Sequence, residues 1–231
     1  MPLNSNKSPV AAFRRLIFVA VCAGGLAGLG VAGLHQLTTV PLILAAESFE
    51  SNEPGHAHLE PHAWKPQTGF QRITATAVTD ILAGIAFALI LVAIWGWQDV
   101  KIDPWRGALW GIGGFLAVNV APSLGLPPEL PGSQTAALPA RQLWWIVTVI
   151  LTAASLSGLL LAKSIGVRLL ALGGLLLPHL VGAPQPAVTD TLLPGELLTR
   201  FHVAVLGTSA AFWLVLGGLS GWLMAKNNRG A

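Results

Sequence analysis

The chain has 231 residues, of which 53% are hydrophobic and 10% charged, with a formal net charge of +3; a soluble domain carries about 25% charged residues. This balance excludes a water-soluble globule, and a mean hydropathy of +0.66, gathered into apolar runs of about 20 residues that match a hydrocarbon core of roughly 30 Å, predicts a multi-span membrane protein. The thirteen Lys and Arg stand at the ends of those runs as topology signals, so the basic balance points to no nucleic-acid partner, and the single Cys22 excludes an intrachain disulfide.

The first apolar run, residues 16–37, follows Lys7, Arg14 and Arg15 as a signal peptide would. It exceeds the roughly 7–15 residues of a signal core, and Leu44-Ala45-Ala46 is a poor cleavage site, so a retained helix is expected. Further spans are predicted over residues 73–97, 107–126, 143–162, 167–181 and 201–224. The fifth of these six runs would reach only about 22 Å at helical rise, short of the core.

Charge decides whether that short run crosses. Six crossings put Lys7, Arg14, Arg15, Lys101, Arg106, Lys163, Arg168, Lys226 and Arg229 on one side, with Lys65, Arg72, Arg141 and Arg200 on the other. Five crossings would move Lys226 and Arg229 and erase the asymmetry, so the positive-inside rule favours six, with both termini cytoplasmic. The expected fold is an all-α polytopic membrane helix bundle of six transmembrane helices, or five if the short run fails to cross. Its parts are a cytoplasmic N-terminal segment 1–15, a transmembrane bundle 16–226 with an outer His/Glu-rich loop at 45–72, and a cytoplasmic tail 227–231.

The inner connections are short, and Gly166 is expected to take the left-handed conformation that ends a helix between the fourth and fifth spans. The outer connections carry most of the polar residues and most of the prolines, including Leu126-Pro127-Pro128-Glu129-Leu130-Pro131-Gly132. Trp95, Trp97, Trp105 and Trp222 are expected at the inner interface, Trp144 and Trp145 at the outer one. Three GxxxG pairs, Gly24 with Gly28, Gly107 with Gly111 and Gly217 with Gly221, predict close helix packing. Asn119 ahead of Pro122, and Pro178 ahead of His179, are expected to mark helix breaks whose freed carbonyls suit a permeating cation.

All six histidines fall on or near the expected outer side: His56, His58 and His62 in the loop, His35 at the end of the first helix, His179 at the end of the fifth and His202 at the start of the sixth. An HxH pair places both rings on one side of an extended chain, and Pro61 can bend the segment to present His62 as a third. With Glu47, Glu50, Glu53 and Glu60 close in sequence, imidazole and carboxylate come together, the mixture that borderline divalent cations such as Co(II), Ni(II) and Zn(II) prefer. Such a site holds metal only while its imidazoles are neutral, so affinity falls with pH. The bland counterpart is a solvated polar loop.

Asp80 lies about 10 Å into the second span by helical rise. A carboxylate near the midplane costs roughly 2.5–3.5 kcal/mol on insertion scales, so it should face a partner or a wet cavity: an ion pathway or proton relay, or a carboxyl satisfied by Thr76, Thr79 or a neighbouring helix. Gly158 to Ser164 imitates a P-loop but has Ala162 where the glycine before Lys163 is required, and HExxH, CxxC and GxSxG are missing. No enzyme is therefore expected, and no resident cofactor. Two other readings stay open: a redox subunit with two of His35, His179 and His202 as axial haem ligands, and a non-transporting scaffold subunit of a membrane complex.

Taken jointly, several segments resemble the CbtA family, the proposed integral-membrane subunit of a bacterial cobalt transporter, from about Phe13 to Leu223. They are Phe13-Arg14-Arg15-Leu16, Pro41-Leu42-Ile43-Leu44 with Glu47 and Glu50, and the HxHxxxH loop leading to Trp64, Pro66, Gly69 and Arg72. Ala121 to Gly132 follows, then Arg141-Gln142-Leu143-Trp144-Trp145, Pro178 to Pro184, and Phe212-Trp213 with Gly217 and Gly221. The resemblance implies cobalt uptake across a bacterial inner membrane, in company with a small histidine-bearing membrane subunit, CbtB-like, and lipid. Carried onto matching positions it implies His56, His58, His62, Glu47, Glu50 and His179 as metal residues. Asp80, Glu129, His35 and His202 are added as transport-pathway candidates from their placement in the chain.

Overall fold

A computed structural model describes residues 9–50, 66–67, 69–98, 101–186 and 193–229, and every regular element among them is helical. In chain order these are α1 (Pro9–Leu37), α2 (Val40–Glu50), α3 (Phe70–Trp97), α4 (Pro104–Phe115), a π turn (Leu116–Val120) running into α5 (Ala121–Ser123), α6 (Leu138–Leu161), α7 (Ile165–Val181) and α8 (Gly195–Arg229). The all-helical membrane bundle is thus as expected.

Each predicted run lies on helix, but the helices are not equivalent. Four are long and apolar enough to cross a membrane: Val10–Leu37, Phe70–Trp97, Leu138–Leu161 and Gly195–Lys226. The third and fifth predicted spans form shorter pieces, α4 with its π turn and α5, and α7. The count of six therefore rests on the charge argument, while length and apolarity select four.

Several local expectations are corrected. The stretch expected as loop from residue 45 opens in helix, because Thr38 and Thr39 turn the chain and Pro41 falls in the first turn of α2, where its missing N–H costs nothing. Asn119 sits in a π turn, and the helix runs on through it instead of breaking. Pro178 lies inside α7, close enough to its end for the helix to reach Val181. Gly166 is the second residue of α7; the positive φ belongs to Gly182, at +86°, which stops α7, and the chain between α6 and α7 turns on extended Ala162 and Ser164.

Contacts divide the chain into two compact units. The first holds the described residues of Met1–Gly33, Lys65–Ile112 and Ala211–Ala231. Here the GxxxG pairs do what their spacing predicts: a methyl group at Gly24 or Gly28 would strike the backbone of Gly84 or Asp80, so α1 and α3 touch main chain to main chain. In the same way Gly107 and Gly111 of α4 abut Gly217, Gly221 and Trp213 of α8. Lipid offers no hydrophobic drive between helices, so this close packing supplies the cohesion. Aromatic edges fill the remainder, Phe87 to Trp213 at 4.8 Å and Trp95 to Trp110 at 6.4 Å between centroids. Trp95 is 1% exposed and is a core residue, whereas Trp97 at 86% and Trp105 at 72% are exposed.

The second unit holds the described residues of Leu34–Trp64 and Gly113–Ala210. Its α6 and α7 form an antiparallel hairpin, with Gly158 against Ala171, Ser155 against Gly174, and the Trp144 indole donating to the Pro178 carbonyl at 3.3 Å. The opposite side of α7 exposes Leu169, Leu170, Leu176, Leu177 and Leu180, an apolar face that only lipid or another apolar surface would cover in a stable protein. A separate cluster of Ala46, Leu130, Leu193 and Phe201, with Leu42, Ile43, Leu197, Leu198 and Val205 around it, ties α2 and the start of α8 to the Pro-rich segment after α5.

Candidate functional site

The Pro-rich segment between α5 and α6 cannot continue a helix, and it runs extended to a turn at Gly132, whose φ is +82° and which Ser133 closes by donating to the Leu130 carbonyl at 3.1 Å. Leu130 is 3% exposed and Phe201 6%, both in the apolar cluster of the second unit. Their chain neighbours Glu129 and His202 are thereby brought to one place, where they line a cavity of about 220 Å³ together with Ser133, Gln134 and Gln185.

Within that site His202 Nε2 lies 2.9 Å from the Pro128 carbonyl oxygen. A carbonyl only accepts, so Nε2 carries the proton and a neutral ring keeps its lone pair on Nδ1. Metal-binding imidazoles are commonly oriented in this way, one nitrogen donating to a backbone carbonyl while the other is left to the metal. Glu129 is paired through Oε2 with Nη2 of Arg141, from the first turn of α6. Burial pushes the Glu129 carboxyl above its ordinary range, and the guanidinium offsets only part of this.

The other candidates are placed differently. His179 sits near the end of α7 with its ring edge-on to Trp144, centroids 6.1 Å apart, so Trp144 packs α6 against α7. His35 is half-buried near the end of α1, where its carbonyl accepts from Thr39, and Glu47 is half-buried on α2. Asp80 belongs to the first unit, half-buried, with its backbone against Gly28. His56, His58 and His62 lie outside the described residues, as does the side chain of Glu50. Among the described residues no three His, Cys, Asp or Glu side chains gather as a metal cluster.

Sequence reasoning missed the role of Arg141, which it counted as a topology charge and as part of a family-like segment but not as a site residue, and the pairing of Glu129 with His202 in one cavity. The signal available was weak: an isolated base immediately after a Pro-rich segment whose one charged residue is an acid.

The sequence matches a family model described as probable cobalt transporter subunit (CbtA) over residues 13–225, nearly the whole chain, and the chain belongs to that family. No curated protein and no solved structure matches it.

Proposed function

From its place in the CbtA family, we propose that this chain is the membrane-embedded subunit through which Co(II) or a similar divalent cation is taken up across a bacterial inner membrane, working with a small histidine-bearing subunit. The segment holding His56, His58 and His62, with Glu47 and Glu50 at its leading end, captures the hydrated ion on the outer side. The cavity of Glu129 and His202 receives it next, and His179, His35 and Asp80 are further stations of the pathway. Both termini are cytoplasmic, following the bias of basic residues.

The observation that carries this reading is the meeting of a carboxylate and an oriented imidazole in one cavity of a helical membrane protein. Oxygen and imidazole nitrogen are donors that Co(II) accepts readily. At about 220 Å³ the cavity has room for several waters, so an ion can enter with part of its hydration shell. A cation passing from the capture segment to the cavity exchanges water for protein donors in steps, and weak successive sites let it leave as well as enter.

The capture role is tested by replacing His56, His58 and His62 together with Ala and measuring cobalt uptake by cells. Uptake should drop sharply at limiting external cobalt and recover at high cobalt. Equal uptake by variant and parent at limiting metal would discard it.

A further inference from the structure

The Glu129–Arg141 ion pair leaves a buried guanidinium donor unused. Arginine can hold a carboxylate by two parallel N–H bonds, yet Arg141 uses Nη2 alone, on Oε2, while its Nε is buried with no hydrogen-bond partner. Both side chains are about a quarter exposed, at 25% for Arg141 and 27% for Glu129. Glu129 lines the cavity and Arg141 does not. Glu129 can therefore be approached from the cavity, while Arg141 holds it from outside the cavity lining.

We infer that Arg141 is a tethered cation that occupies Glu129 in the empty cavity and is displaced by an entering divalent cation, so that it sets the charge the site will accept. This rests on the reading of the cavity as a cation site. Among the described residues Glu129 is the one formally charged residue lining it, with neutral donors from His202, Gln134, Gln185 and Ser133 around it. With Arg141 paired, carboxylate and guanidinium cancel. A monovalent ion would have to take the carboxylate from a group of equal charge, and so gains little by the exchange. A divalent ion carries twice the charge, and it gains the imidazole Nδ1 as well. The single-point contact of Arg141 makes the exchange reachable: one ion-paired bond is given up, and a guanidinium whose Nε is already unsatisfied moves off.

The test uses the purified full-length chain with His56, His58 and His62 changed to Ala, so that capture-segment binding does not obscure the cavity. Titration with cobalt chloride should show binding that added potassium chloride does not weaken beyond ordinary ionic-strength screening. Arg141→Gln should tighten cobalt binding on the order of tenfold, the weight of one charge competitor, and should make it sensitive to potassium at matched ionic strength. Arg141→Lys, which keeps the charge, should behave as the parent, and Glu129→Gln should abolish the site. Cobalt binding in the parent with Arg141→Gln no tighter and no more potassium-sensitive overturns the role of Arg141 while leaving the cavity as a cation site. No binding in any variant overturns the cavity reading itself. Should Arg141→Gln fail to fold, phenylglyoxal modification of Arg141 in the parent decides: cobalt should accelerate it by releasing the guanidinium, and an unchanged or slower rate overturns the displacement.

Discussion

Leu130 and Phe201 pack in one buried cluster, and each is the chain neighbour of a polar residue, Glu129 and His202, that lines the cavity. The polar pair is therefore positioned by apolar packing next door. Leu130→Ala should destabilise the chain by about 2–5 kcal/mol, the usual cost of emptying a well-packed leucine site. It should also lower cobalt uptake although Glu129 and His202 are both intact. Thermal unfolding in detergent and cellular uptake check the two parts separately; unfolding like the parent's would mean that the cluster does not hold the segment.

Glycine at the helix crossings is required by space, so substitution there should be position-specific. Gly107→Ala or Gly217→Ala drives a methyl group into facing backbone, which should cost about 1–3 kcal/mol as overpacking does, or separate the helices. Gly113→Ala meets nothing within 4 Å and should be neutral or stabilising by up to about 1 kcal/mol from helix propensity. Melting temperatures that fall equally for all three substitutions would contradict the packing account.

The raised carboxyl of Glu129 predicts a pH dependence of stability. Its ordinary value is near 4.5, and burial raises it in the folded chain, so the fold binds this proton more tightly than the unfolded chain does. The resulting stabilisation is present in full below that ordinary value and is lost as pH rises through the raised one. Partial exposure, at 27%, keeps the effect small. Melting temperatures of parent and Glu129→Gln, compared from about pH 4 to pH 7, should show the parent losing ground as pH rises. A constant difference across that range would mean that burial does not perturb the carboxyl.

What the sequence revealed and what it concealed have separable physical causes. Apolar runs located the four long helices, since a membrane core demands length and apolarity of one continuous segment, and GxxxG spacing located the close crossings because it is a property of one helix face. The short helix α2 escaped because a two-residue turn at Thr38 and Thr39 separates it from α1 with little change in composition. Position in the sequence marked Trp95 and Trp144 as interfacial but did not reveal their ring partners, Trp110 and His179, or the Pro178 carbonyl that accepts from Trp144. The cavity was hardest to foresee, since it joins an irregular Pro-rich segment to the start of a distant helix, and no periodicity links Glu129, Arg141 and His202. His56, His58 and His62, the most conspicuous motif in the chain, remain a proposal drawn from spacing and residue chemistry.

The central claim is that this chain passes a divalent transition-metal cation through the membrane. Reconstitution into sealed lipid vesicles, alone and with the small histidine-bearing subunit, followed by measurement of Co(II) entry against a trapped metal indicator, tests it most directly. The account predicts entry above protein-free vesicles in at least the two-component preparation, reduced by Glu129→Gln and by His202→Ala. Entry no faster than through protein-free lipid in both preparations, with the protein folded and inserted, would contradict it.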